Sequence, residues 1–190
     1  MFIRSERLFL RPGWPEDWQD LFDLIDDEAV VRNLAHAPWP YRPEHARQFA
    51  AQSQEAMLPH FFVTLPTAEG ADMVGLIGLG RDGDDVELGY WIARPFWGQG
   101  YATEAVRVVL SQARALGYRR IVASHFADNP ASGRVLQKAG FRPAGGVRMR
   151  YSAGRGADAP ALHYAVSLVP AGGCDDDGEP SMRSRIRAVG

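Results

Sequence analysis

The chain has 190 residues, 46% apolar and 23% charged, a balance that excludes a disordered polymer and favours one globular domain. Its formal net charge of −2 gives no footprint for a nucleic-acid binder, and no apolar run is long enough to span a bilayer. The one cysteine, Cys174, has no second thiol for a disulfide or a metal site, so a reducing compartment is expected.

The opening MFIRSERLFLRP has no uninterrupted apolar core, because Arg4, Glu6, Arg7 and Arg11 break it; the expectation is a soluble, cytoplasmic protein without a signal peptide. ERLFLRP, from Glu6, alternates and predicts a first strand ended by Pro12. Pro15 opens a helix with Trp18, Leu21, Phe22 and Ile25 on one face, and Ala29 to Leu34 extends it or forms a second short helix. HAPWPYRP, from His36, carries three prolines and reads as an irregular loop. A further helix is expected from about Pro43 through Met57. Three strand-like runs follow: HFFVTL up to Pro66, MVGLIGL from Met73 and VELGYWIA from Val86. The Asp-Gly turn in RDGDD, from Arg81, joins the last two, and the three form an antiparallel meander.

RPFWGQG leads into a helix with Ala102, Ala105, Val106, Val109, Leu110 and Ala113 at helical spacing, stopped by Gly117. RRIVASHF, from Arg119, reads as a strand. Asn129 caps another helix, Pro130 lies in its first turn and Gly140 ends it. Phe141 and ALHYAVSL, from Ala161, give the last strands, separated by a Gly-rich segment. The class is mixed α/β, with one strand–helix–strand unit expected to be parallel. Residues 1–169 form the domain, and 170–190 read as a disordered tail.

Gly78, Gly80 and Gly83 match the dinucleotide pattern G-x-G-x-x-G, but they lead into acidic residues and another strand. That fingerprint requires a helix N-terminus at the glycines, so the match reads as a hairpin turn. Neither a Walker loop nor HExxH nor paired-cysteine spacing occurs, and no metal is expected.

The informative stretch is VELGYWIARPFWGQGYATEAVRVVL, from Val86. A strand runs into a turn containing Gly98 and Gly100, and an amphipathic helix begins at once. The first N–H groups of a helix lack intrahelical partners and sit at the positive end of its dipole, so they suit a pyrophosphate.

These residues resemble the GNAT superfamily of N-acetyltransferases, whose signature Gln/Arg-x-x-Gly-x-Gly/Ala is met here by Trp97-Gly98-Gln99-Gly100-Tyr101-Ala102, with Trp97 departing at the first position. That spelling is similar to the ribosomal-protein N-terminal acetyltransferase branch (RimJ/RimL type). So are ERLFLRP, Gly89-Tyr90-Trp91 and the later Asn129-x-x-Ser132 followed by Lys138-Ala139-Gly140-Phe141. The resemblance covers about Glu6 to Val169. It implies a central, mostly antiparallel sheet splayed at a parallel strand pair and flanked by helices, with acetyl-CoA as cosubstrate and an amine as acceptor.

By position, the resemblance implies that Gly98, Gln99, Gly100, Tyr101, Ala102 and Thr103 wrap the CoA pyrophosphate. Ile92, Ala93 and Arg94 pair with the pantetheine arm and supply an oxyanion donor. Asn129 bonds the pantetheine or acetyl region, or is a plain helix cap. Leu136 stands where many relatives carry a tyrosine acid, so Ser132 is the candidate donor to the leaving thiolate. Glu87 is the candidate general base for the amine, with His125 and His163 behind it. Arg134 and Lys138 read as a solvated face with a possible role at CoA phosphates. Trp39 and Tyr41 either roof the acceptor site or staple onto the first helix.

The reaction expected is direct transfer to a primary amine, of a protein N-terminus or a small molecule, by a monomer or homodimer. Two rivals stand beside it: a non-catalytic acyl-CoA-binding module, and an enzyme using another donor such as succinyl-CoA.

Overall fold

The structure is a computed structural model and describes residues 1–169; the predicted tail lies outside the described residues. In chain order the elements are β1 (Ile3–Arg4), β2 (Phe9–Arg11), α1 (Trp18–Ile25), α2 (Glu28–Val31) and α3 (Pro43–Ala50), then β3 (His60–Thr67), β4 (Gly70–Asp82) and β5 (Asp85–Ile92). A short 3-10 turn, Arg94–Phe96, precedes α4 (Tyr101–Ala115), followed by β6 (Arg120–Phe126), α5 (Pro130–Lys138), β7 (Arg142–Ser152) and β8 (Ala157–Ser167).

The strands form one eight-stranded sheet in the order β1-β2-β3-β4-β5-β6-β8-β7. All neighbours are antiparallel except β5 and β6, which are parallel and share the single register pair Glu87↔Val122. The mixed α/β class, the β3–β4–β5 meander and the parallel β5–α4–β6 unit agree with the sequence reading. Gly83, at φ +59, turns the β4–β5 hairpin, so the G-x-G-x-x-G match is a turn.

Strand alternation divides the apolar side chains between two cores. On one face Leu88 of β5 and Phe61 of β3 pack with Val106 and Val109 of α4 and Leu136 of α5. On the other, Trp91 and Phe62 pack with Leu21 and Ile25 of α1, Val31 of α2 and Ala46 of α3. Thus α4 and α5 cover one side, and α1 to α3 the other. Among the described residues no helix is long and apolar enough to cross a membrane.

Three expectations are corrected. The chain opens with the short β1, paired to β2, too brief to show a pattern. Helix α3 ends at Ala50 rather than Met57: Ser53, Gln54 and Glu55 offer nothing to bury, and Met57 is exposed. The final strands form a hairpin of 11-residue strands. Gly145 and Gly146 interrupt the register of β7 between Pro143 and Val147, so the expected separator is an irregularity within a strand.

Candidate active site

Beyond the pair Glu87↔Val122 the parallel strands separate, and the gap opens into a cavity of about 1090 Å³. It extends from Tyr41 and Phe49 on the α1–α3 side to Ser132 and Val135 of α5. Successive residues of a strand direct their backbone groups to opposite edges. The Ala93 N–H bonds the Val74 carbonyl at 2.8 Å, toward β4, so the backbone groups of Ile92 face the gap. The Ile92 carbonyl is already occupied, accepting from the Trp97 indole Nε1 at 2.6 Å. The departing Trp97 therefore ties the turn to the strand end, and the Ile92 N–H faces the gap beside it.

Between strand and helix, Gly98 and Gly100 have φ of +77° and +83°, a region in which a Cβ is strained. Gly100 is the N-cap of α4 and, among the described residues, no side chain caps that helix, so its first N–H groups lack a capping partner there. Gly98, Gly100, Tyr101, Ala102 and Thr103 line the cavity with Ile92. The structure does not bring the other three expected cofactor residues to its wall: Ala93 is fully buried, Arg94 pairs with Asp27 at 3.6 Å, and the Gln99 amide turns to the Pro95 carbonyl at 3.3 Å.

Asn129 is a helix cap, accepting from the Ser132 N–H at 3.3 Å, and it also borders the cavity. The Ser132 hydroxyl lies 2.7 Å from the Tyr90 hydroxyl. Burial pushes the Tyr90 phenol up to about 12, against the opposing effect of its bond to Ser132, so it holds its proton at neutral pH. Tyr90 escaped the sequence reading as a site residue because an aromatic on a strand reads first as core. Arg134 and Lys138 are exposed, as expected, and border the cavity.

Glu87 stands three residues before Tyr90 and so projects from the opposite face of β5. The Ser124 hydroxyl donates to Glu87 Oε1 at 2.8 Å. Arg150 of β7 donates to Oε2 through Nη2 at 2.7 Å and reaches Oε1 and Ser124 through Nη1. Burial would raise the Glu87 carboxyl, but the bond and charge of Arg150, the Ser124 hydroxyl and the charge of His36 hold it below its ordinary range. It is a carboxylate throughout the neutral range. Nothing in the sequence pointed to Arg150, which sits 63 residues away in a stretch without periodicity.

Glu87 is the only carboxylate among the described residues lining the cavity, and Arg81 at the rim is paired with Glu55 at 3.5 Å. Among the described residues no cluster of three or more His, Cys, Asp or Glu could hold a metal.

His125 has structural partners: Nδ1 lies 2.8 Å from the Phe126 carbonyl and Nε2 3.4 Å from the Tyr164 hydroxyl. His163 Nε2 is buried without a hydrogen-bond partner among the described residues, and burial, then the charges of Arg148 and Arg150, lower its pKa. It does not line the cavity. Of the two loop aromatics, Tyr41 is buried in the cavity wall and stacks on Phe22 with ring centroids 6.5 Å apart. Trp39 lies outside, in a neighbouring groove with Arg32 and Arg155.

Comparison with known proteins gives a consistent picture. Residues 7–142 match the model of the acetyltransferase (GNAT) domain family. The uncharacterized N-acetyltransferase YoaA of Bacillus subtilis (strain 168) is 40% identical over 151 residues, covering 77% of this chain and 85% of that one. A GNAT-family acetyltransferase structure from Bacillus anthracis superposes with a TM-score of 0.76 at 26% identity, over 88% of this chain and 99% of that one. RimL, a ribosomal L7/L12 α-N-protein acetyltransferase solved with coenzyme A, has a TM-score of 0.72 at 21% identity, over 88% and 98% of the two chains, and so shares the fold.

Proposed function

We propose that this chain, which belongs to the acetyltransferase (GNAT) domain family, transfers an acetyl group from acetyl-CoA to a primary amine by direct attack. The observation that carries the reading is the gap between β5 and β6, with an uncapped helix N-terminus at its mouth. An extended pantetheine thioester arm fits between separating strands, and helix-start N–H groups suit the diphosphate of CoA.

The diphosphate lies on the backbone of Gly98 through Thr103, with Arg134 and Lys138 at the exposed edge. The pantetheine arm follows the open edge of β5, where the Ile92 N–H polarises the thioester carbonyl. The amine approaches from the Glu87 face, and its surplus proton passes to the Glu87 carboxylate through a water. Its nitrogen attacks the carbonyl carbon and gives up its second proton to water; the C–N bond forms and the C–S bond breaks. The leaving thiolate takes a proton from the Ser132 hydroxyl on the opposite face, the Tyr90 hydroxyl, 2.7 Å away, restores it, and Tyr90 regains its own from water in the cavity it lines. The acid, Ser132 of α5 backed by Tyr90, and the base, Glu87, thus stand on opposite faces of the sheet at β5, which keeps them apart.

The acceptor end favours an amine with a single positive charge. The one carboxylate lining the cavity among the described residues is already balanced by Arg150, so a polyamine would find no counter-charges there for its remaining ammoniums. A protein or peptide α-amine meets that condition. Mixing the protein with acetyl-CoA and a panel of peptide α-amines, amino acids and polyamines tests this. CoA release with peptide or amino-acid amines is expected. Turnover confined to polyamines would contradict the acceptor reading.

A further inference from the structure

The N-terminal segment closes on the turn that opens α4. Glu104, in the first turn of that helix, accepts from the Arg7 backbone N–H at 2.8 Å, from the Ser5 hydroxyl at 2.7 Å and from Arg7 Nε at 2.8 Å. Arg7 Nη2 lies 2.7 Å from the same carboxylate. The remaining guanidinium nitrogen, Nη1, donates to the Gln99 carbonyl at 3.0 Å. The guanidinium also sits over the Tyr101 ring, 4.7 Å from its centroid.

Two consequences follow. The Gln99–Gly100 peptide is trans, so its carbonyl and its N–H point in opposite directions. Holding the Gln99 oxygen on Arg7 turns the Gly100 N–H to the other side of the turn. Secondly, a carboxylate in the first turn of α4 stands close to any anion bound at that helix start and would repel it if uncompensated. Glu104 is compensated: burial would raise its pKa, but the bonds from Arg7 and Ser5 and the Arg7 charge lower it.

We propose that Arg7 is a positioning residue for the cofactor diphosphate, aiming the Gly100 N–H at the phosphates and cancelling the charge of Glu104. The proposal rests on the reading of Gly98 through Thr103 as the diphosphate site. It gives the opening Ser5-Glu6-Arg7-Leu8 stretch a task in cofactor binding, which it performs from outside the cavity.

The test compares two donors in steady-state assays. Acetyl-CoA carries the diphosphate, whereas S-acetylpantetheine has the same thioester arm without it. Arg7→Met is expected to lower kcat/KM for acetyl-CoA about tenfold, through KM, and to leave kcat/KM for S-acetylpantetheine within about twofold. Arg7→Lys keeps the charge beside Glu104 but cannot hold both partners, and should lose less, with the same donor selectivity. Adding Glu104→Gln to Arg7→Met should recover part of the acetyl-CoA affinity, because the uncompensated charge is gone. Equal losses with both donors, or no loss with acetyl-CoA, would overturn the proposal. Calorimetric binding of CoA by the unaltered protein separates the two levels: without it the diphosphate site itself fails, whereas binding that Arg7→Met leaves unchanged sinks only the role of Arg7.

Discussion

At the scale of the residue, the proposed chemistry divides between Glu87 and the Ser132–Tyr90 pair. Glu87→Gln keeps the shape and removes the base, so kcat should fall about a hundredfold to ten-thousandfold, with acetyl-CoA affinity nearly intact. An α-amine is already partly neutral near pH 8, so the deficit should shrink as pH rises; a pH–rate profile at saturating acceptor checks both points. The same carboxylate makes a stability prediction. Its folded pKa lies below the ordinary 4.5, so its contribution is present above that value and lost as pH falls through the lowered one. Thermal melts between pH 3 and 7 should show this acid loss in the parent and a flatter profile in Glu87→Gln. On the other face, Ser132→Ala and Tyr90→Phe should each lower kcat with unchanged CoA binding. Their effects should combine less than additively, because the two hydroxyls act in series. Glu87 was legible because it stands on the strand leading to the motif. Arg150 and Tyr90 were not, since an ion pair across the sheet exists only once β7 is placed, and an aromatic on a strand is ordinary core.

At the scale of the element, the turn into α4 is where local sequence dictates function most directly. Gly100 at φ +83 can be replaced only with backbone strain, and its Cα borders the space assigned to phosphate. Gly100→Val should weaken acetyl-CoA binding at least tenfold, about 1.4 kcal/mol; unchanged affinity of a folded variant, by calorimetry, would refute the assignment. Helix α5 is constrained differently. A Cβ on Gly133 would lie 2.6 Å from His125 Nε2 and 3.3 Å from the Tyr164 hydroxyl, both buried. Gly133→Ala should therefore destabilise the fold by about 1–3 kcal/mol, measured by urea unfolding, through overpacking. Helices with a clear apolar stripe, such as α1 and α4, were readable along with their start signals. The end of α3 and the course of β7 were not: the first lost its buried face after Ala50, and the second is an edge strand with Val147, Met149 and Tyr151 exposed, which erases the alternation.

At the scale of the whole molecule, the sheet brings distant stretches to one gap. β5 contributes Glu87, Tyr90 and Ile92; β6 adds Ser124; α5 supplies Ser132, and β7 supplies Arg150. The order of strands, with β6 crossing back through α4 to lie beside β5, makes the opening, because two parallel strands sharing one register pair leave their remaining edges unpaired. That topology was legible from the alternation of strand and helix patterns together with the Gly98–Gly100 turn. The charge balance of the cavity was not, because it depends on which acidic and basic side chains meet across the sheet. The claim on which everything else depends is that this gap catalyses acetyl transfer rather than merely holding a CoA thioester. It is tested by incubating the protein with acetyl-CoA and an α-amine peptide, and following free CoA and the peptide mass together. One CoA released for each peptide gaining a single acetyl group is the expected result. Tight binding of acetyl-CoA with neither product across the amine panel would contradict it.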